Sequence, residues 1–140
     1  LAAGLKASPY LIKPNNHELS RLLGRPLRTT EELEREARSL MKKYGIAKVV
    51  VSMGGDGALY VTETESVYAK GLNVPVGSTV GAGDSVVAAL AVAEEQGLSL
   101  EQTVRLSTAT GAANVMCSGT QAAEYKVIES LIPMVVFHSL

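Results

Sequence analysis

Three short segments concentrate the residues whose types and spacing could do chemistry. The first is Ser78-Thr79-Val80-Gly81-Ala82-Gly83-Asp84. Gly81, Ala82 and Gly83 carry little or no side chain, so their backbone N–H groups can face an approaching anion. A helix starting there adds partial positive charge. Such a turn stabilises charge developing on a transferring phosphoryl group. An acid at the helix start, Asp84, can take a proton from an attacking hydroxyl. The alternative is that Asp84 only charges the first helical turn. Two other glycine-loop chemistries are excluded. A Walker A loop needs Gly-Lys-Ser/Thr, which is absent. A dinucleotide fingerprint needs Gly or Ala three residues after Gly83, where Val86 stands.

The second segment is Lys13-Pro14-Asn15-Asn16-His17-Glu18, just after the apolar pair Leu11-Ile12. Open α/β sheets bind ligands beyond the ends of their strands. Asn15 and Glu18, three apart, are expected on one helix face. An amide and a carboxylate so placed can organise water around Mg²⁺, an ion that keeps several waters. Lys13 could supply a point charge for phosphate. The plainer alternative is a capped helix with solvated charges. The third segment, Ser52-Met53-Gly54-Gly55-Asp56-Gly57, also follows an apolar run. Its N–H groups and the Ser52 hydroxyl could face a nucleotide phosphate, or it could be an ordinary hairpin turn. If each segment follows a strand, all three would share one sheet edge.

The elements that must position these segments are readable from periodicity and punctuation. Leu11-Ile12 is expected to be a buried strand ending at Pro14, and Asn15 or Asn16 to cap a helix over Glu18 to Leu23, closed by Gly24. Thr29-Thr30-Glu31-Glu32 starts a second helix. Leu33, Ala37, Leu40, Met41 and Tyr44 follow at helical spacing, and Gly45 stops it. Lys48 to Ser52 is a β-branched run, the mark of a strand buried on both faces. Ala58 to Thr62 and Ser66 to Ala69 read as a hairpin. Val74 to Val76 could be a short strand. Helices are expected over Asp84 to Gln96, from the Ser99-Leu100-Glu101-Gln102 capping box to about Met116, and over Tyr125 to Leu131. The apolar tail Met134 to Phe137 is expected as an edge strand. Strands alternating with helices define an α/β layered sheet.

Composition narrows the function classes. The 140 residues carry a formal net charge of −1, with no basic run, which removes the electrostatic case for nucleic acid or an anionic membrane. One Phe, five Tyr and no Trp leave no platform for stacking bases. The single cysteine, Cys117, excludes a disulfide within the chain and a thiolate metal cluster, consistent with a cytoplasmic setting. No run reaches the ~18 to 20 apolar residues of a membrane span.

With its three segments in this order, the chain resembles the C-terminal half of the PfkB (ribokinase-like) carbohydrate kinase family. Ser78 to Asp84, continuing through Ser85-Val86-Val87-Ala88-Ala89-Leu90, is similar to that family's C-terminal signature. Asn15-x-x-Glu18 matches its Asn-x-x-Glu motif, and Ser52 to Gly57 its ATP phosphate loop. The resemblance implies a ribokinase-like α/β/α fold, with residues 1–140 as the C-terminal, nucleotide-binding part. It implies Asp84 as general base and Gly81, Ala82 and Gly83 as the anion hole. Glu18 and Asn15 would act on Mg²⁺, partly through water. Lys13 and Asn15 would lie near the nucleotide phosphates, and Ser52, Gly54, Gly55 and Gly57 would line the ATP site. Thr108 and Ala112, with the loop near Gly119, would border the adenine. A monovalent cation such as K⁺ would sit beside the anion hole, held by carbonyls of Ser78, Val80 and residues 114–121. Lys-Pro-Asn and the Ser-Thr-Val-Gly-Ala-Gly-Asp-Ser string lean toward the phosphosugar branch of the family, so the expected partners are ATP and a sugar phosphate. A kinase for an unphosphorylated sugar or nucleoside, and a non-catalytic nucleotide-binding module, are the alternatives.

The resemblance omits the family's N-terminal half, which brings most sugar contacts and a small β lid. Lid and sugar contacts exclude water and position the hydroxyl. The chain, which also has no initiator Met, is therefore expected to be a fragment that is inactive alone. A homodimer is expected for the full-length protein. Elsewhere, His17 is expected to be solvated, His138 to have no catalytic partners, and Cys117 to be a small hydrophobe. Glu31 to Arg38 is expected to be a solvated charged face, and Met41, Met53, Met116 and Met134 core or near-core filler.

Overall fold

The computed structural model describes residues 11–24, 29–53, 56–72, 82–116 and 125–140, with the side chains of residues 82–85 and 115 left aside. The chain divides into two compact units, Leu1–Ala69 with Phe137–Leu140, and Lys70–Val136.

Among the described residues, the first unit holds a five-stranded sheet in the order β1-β2-β3-β4-β5. β1 (Leu11–Ile12) lies parallel to β2 (Lys48–Ser52), with Ile12 opposite Val49. Parallel neighbours need a crossover, supplied here by α1 (Asn16–Leu23) and α2 (Thr30–Tyr44). β2 pairs antiparallel with β3 (Ala58–Thr62), β3 with β4 (Ser66–Ala69), and β4 with β5 (Phe137–Ser139). The tail strand thus begins at Phe137. Pro133 falls instead in a 3₁₀ turn over Ile132–Met134, where its missing N–H leaves no ladder bond unmade.

Each element follows from its residues. Thr29 Oγ1 accepts the Glu32 N–H at 3.1 Å, starting α2. Leu33, Ala37, Leu40 and Met41 then fall on one face and are buried. They meet Leu19 of α1, Val49 and Val51 of β2, and Leu59 and Val61 of β3 in one apolar cluster. Each buried Leu, Val or Met among them contributes about 1.5–3 kcal/mol when removed from water. Val50 points to the opposite face of the sheet, by the two-residue repeat of a strand. It is buried as well, as a doubly covered strand requires.

The charged face of α2 is not uniformly solvated. Arg38 Nε donates to Glu34 Oε1 at 2.9 Å, and its two terminal nitrogens reach the Thr62 carbonyl at 3.1 Å and Ser66 Oγ at 2.6 Å. The buried Ser66 hydroxyl in turn donates to Glu34 Oε1 at 3.0 Å. A guanidinium offers five donors, enough to satisfy the β3–β4 turn and a carboxylate together. The Arg38 hydrogen bond holds the Glu34 carboxyl below its ordinary value of 4.5; partial burial opposes this, and the Ser66 bond adds to it.

The second unit is helical among its described residues: α3 (Ala82–Gln96), α4 (Leu100–Met116) and α5 (Tyr125–Leu131). Ser99 and Gln102 form the capping box of α4, the Ser99 N–H donating to Gln102 Oε1 at 3.0 Å and the Gln102 N–H to Ser99 Oγ at 3.2 Å. α3 and α4 pack through small residues, with Ala89, Ala93, Ala109 and Ala113 buried. A Cβ added at Gly111 would meet Val86 Cγ2 at 2.9 Å, so the close approach of the two helices requires glycine there. Buried hydroxyls bond back along α4, Ser107 Oγ to the Thr103 carbonyl at 2.7 Å and Thr110 Oγ1 to the Leu106 carbonyl at 2.7 Å. Arg105 Nη1 ties α4 to the Ile132 and Val135 carbonyls at 3.2 and 3.3 Å.

Met41 is buried and Met53 packs against the core, whereas Met116 and Met134 are exposed at 38% and 56%. Met116 is the last residue of α4 and Met134 the last of the 3₁₀ turn, where neither is enclosed by its own element. The expected strand over Val74 to Val76 and the setting of Cys117 lie outside the described residues.

Candidate functional site

The Lys13–Glu18 and Ser52–Gly57 segments emerge from the carboxyl ends of β1 and β2, which are hydrogen-bonded parallel neighbours. The pairing continues past the strands: Asn15 bridges Ser52 in parallel register, and the Ser52 N–H donates to the Pro14 carbonyl at 3.0 Å. The two segments therefore lie side by side at the strand ends, where open α/β sheets take their ligands. β1 ends there because Pro14 cannot donate to the sheet.

Asn15 is the N-cap of α1 and lies outside the helix. α1 itself begins at Asn16, two residues earlier than the sequence suggests. Asn15 Oδ1 accepts the Glu18 N–H at 2.7 Å, and Glu18 Oε1 accepts the Asn15 N–H at 3.1 Å, a reciprocal capping box. Asn15 and Glu18 are thus linked directly as cap and third helical residue. Glu18 is exposed and Lys13 half-buried. One bond to a backbone N–H leaves acceptor capacity on a carboxylate. No group of three acidic, His or Cys side chains suited to a metal occurs among the described residues. Such a donor set fits Mg²⁺ held through water and a ligand's own phosphates, and does not fit an all-protein cage.

The turn after β2 is internally braced. The Met53 N–H donates to the Gly57 carbonyl at 2.9 Å and the Asp56 N–H to the Met53 carbonyl at 3.1 Å. Gly57 has φ +105°, which a side chain would oppose. Three N–H groups of this stretch, those of Ser52, Met53 and Asp56, are therefore engaged by the protein. Gly54 and Gly55 lie outside the described residues. The Tyr68 hydroxyl on β4 donates to the Asp56 carbonyl. Tyr68 carries no sequence signal of this role, because it reads as an ordinary strand residue.

In the second unit, α3 begins at Ala82, so Ala82, Gly83 and Asp84 form its first turn. Ser78, Val80 and Gly81, and residues 117–124 including Gly119, lie outside the described residues, and with them all of the expected K⁺ site except residues 114–116, which end α4. Thr108 and Ala112, four apart on α4, are half-buried. His17 is exposed, and the His138 ring lies tilted against the Tyr68 ring. No helix among the described residues is long and apolar enough to cross a membrane.

Residues 1–126 match the pfkB family carbohydrate kinase model, and the chain belongs to that family. It is 39% identical over 136 residues to the 1-phosphofructokinase of Haemophilus influenzae, covering 96% of this chain and 43% of that protein. Phosphofructokinase-2 of Escherichia coli, solved in complex with substrates and products, matches with a TM-score of 0.86 and 31% identity, covering 96% of this chain and 45% of that one. The ribokinase of Arabidopsis thaliana, solved with ribose and ATP, matches with a TM-score of 0.81 and 30% identity over 91% of this chain and 42% of that one. The fold is thus ribokinase-like α/β, and the chain spans less than half the length of each of these proteins.

Proposed function

We propose that this chain is the C-terminal, nucleotide-binding and catalytic-base part of a cytoplasmic, ATP-dependent kinase that phosphorylates a hydroxyl of a sugar phosphate, in the manner of 1-phosphofructokinase. The observation that carries this reading is the placement of Lys13–Glu18 and Ser52–Gly57 side by side at the ends of two parallel strands, in a chain of the carbohydrate kinase family.

In this reading Asp84 takes the proton of the acceptor hydroxyl. The hydroxyl oxygen bonds to the γ-phosphorus of ATP as the bond to the bridging oxygen breaks and ADP leaves. The N–H groups of Gly81, Ala82 and Gly83 lie where charge grows on the transferring group. Lys13 and the Ser52 hydroxyl hold the nucleotide phosphates, with the backbone of Gly54, Gly55 and Gly57. Thr108 and Ala112 border the adenine. Mg²⁺, oriented through water by Glu18 and Asn15, neutralises phosphate charge when bound. A K⁺ ion beside the anion hole and a homodimer of the complete protein belong to the same proposal.

The test is phosphoryl transfer by the complete protein to a panel containing fructose 1-phosphate, fructose 6-phosphate and tagatose 6-phosphate, repeated with Asp84→Asn. Turnover on one phosphosugar is expected, with fructose 1-phosphate ranked first. Asp84→Asn is expected to lower kcat by roughly 10²- to 10⁴-fold while Mg-ATP still binds. Retained turnover in that variant rejects Asp84 as the base. Binding of Mg-ATP without transfer to any of the three rejects the phosphosugar assignment.

A further inference from the structure

The turn after β2 has one anchor outside itself that its sequence does not announce. Tyr68 sits on β4, opposite Leu59 on β3 and His138 on β5. Its ring rests against the His138 ring, with centroids 5.4 Å apart and planes tilted by 54°. The hydroxyl reaches past the start of β3 and donates to the Asp56 carbonyl.

That carbonyl belongs to the same peptide unit as the Gly57 N–H. A trans peptide is planar, so its C=O and N–H point in opposite directions, and the described peptides include no cis bond. Holding the Asp56 oxygen therefore fixes the direction of the Gly57 N–H, away from Tyr68. The constraint matters at this position. Gly57 has φ +105° and lacks the side chain that would otherwise bias rotation of the preceding peptide. A donor on the carbonyl also polarises the peptide and strengthens its N–H as a donor. With the Ser52, Met53 and Asp56 N–H groups engaged by the protein, the Gly57 N–H is the described amide of this turn left to assign to a phosphate.

We propose that Tyr68 is a positioning residue for the nucleotide: its hydroxyl sets the Asp56–Gly57 peptide so that the Gly57 N–H faces a phosphate oxygen of ATP. This rests on the reading of Ser52–Gly57 as the phosphate turn. Tyr68 does not touch the nucleotide itself. It acts through one peptide plane, with His138 bracing its ring.

The experiment compares the complete protein with its Tyr68→Phe variant, which keeps the ring and the His138 contact and removes only the hydroxyl. The KM for ATP is expected to rise roughly five- to tenfold, the scale of one lost hydrogen bond, with kcat at saturating ATP and the KM for the sugar phosphate changed less than about twofold. Hydrogen exchange of the amides of residues 52–57 is measured with and without Mg-ATP. Protection by Mg-ATP in the parent and weaker protection in Tyr68→Phe supports the role. Protection in the parent with an unchanged ATP KM in the variant overturns the Tyr68 inference alone. No protection in the parent overturns the phosphate turn itself, and the inference with it. A lowered melting temperature with all kinetic constants unchanged would mark Tyr68 as a structural tether only, and also overturns the inference.

Discussion

Asn15 and Glu18 hold two jobs that a single substitution can separate. Their reciprocal bonds at 2.7 and 3.1 Å start α1, and the same groups are proposed to orient the waters of Mg²⁺. Glutamine serves a capping box as glutamate does. Glu18→Gln is therefore expected to leave stability within about 0.5 kcal/mol of the parent while raising the Mg²⁺ concentration needed for half-maximal turnover. Glu18→Ala removes the Mg²⁺ role and the bond to the Asn15 N–H, and is expected to cost about 1 kcal/mol as well, the scale of one hydrogen bond. Urea unfolding paired with an Mg²⁺ titration of the complete protein measures the two effects. An unchanged Mg²⁺ requirement in Glu18→Gln would leave Glu18 as a cap alone. A cap at Asn15 or Asn16 was legible in the residue types. The bond from Tyr68 to Asp56 was not, because residues 12 apart meet only through the pairing of β3 with β4.

At the scale of elements, two contacts can be tested. Gly111 on α4 lies against Val86, four residues beyond the start of α3, so the packing there bears on the first turn that holds Asp84. Alanine at position 111 gains up to about 1 kcal/mol of helix propensity but inserts a Cβ at 2.9 Å from Val86 Cγ2, and overpacking of this kind costs about 1–3 kcal/mol. Val86 is β-branched and cannot easily turn aside. Gly111→Ala is expected to destabilise the protein and lower kcat, and the pair Gly111→Ala with Val86→Ala to recover most of both. A pair no better than the single variant would rule out the Val86 contact as the cause.

The second contact is the Glu34–Arg38–Ser66 link between α2 and the β3–β4 turn. The folded protein holds Glu34 below its ordinary pKa of 4.5. A depressed carboxylate contributes stability above its unfolded pKa, and this is lost as pH falls through the folded value. The stability gap between the parent and Glu34→Gln is therefore expected at neutral pH and to close as pH drops below about 4.5, read from urea midpoints across pH. A gap independent of pH would show that the ionised pair contributes nothing.

For the molecule as a whole, the proposed groups fall in two compact units: Lys13, Asn15, Glu18, Ser52 and Gly57 in one, Ala82, Gly83, Asp84, Thr108 and Ala112 in the other. The chain covers 43% of the H. influenzae 1-phosphofructokinase. The residues that would surround a sugar are expected in sequence beyond these 140. The chain by itself is thus expected to show no ATP-dependent transfer to fructose 1-phosphate under conditions where the complete protein turns over. Transfer by the 140 residues alone would place the sugar contacts within them.

Local physics was enough for much of this protein. The caps at Thr29 and Ser99, the helical stripe from Leu33 to Met41, and the β-branched run of β2 each depend on near neighbours in sequence, so residue type and spacing determined them. The order of three motifs was likewise sufficient for the family. The tertiary structure alone decided that the Lys13–Glu18 and Ser52–Gly57 segments adjoin, because parallel pairing brings together strands separated by two helices. It also decided that Arg38 and Glu34 leave the solvated face to serve the β3–β4 turn, and that the final strand begins at Phe137. These outcomes turn on which distant donors meet which acceptors, and a pattern of near neighbours carries no record of that.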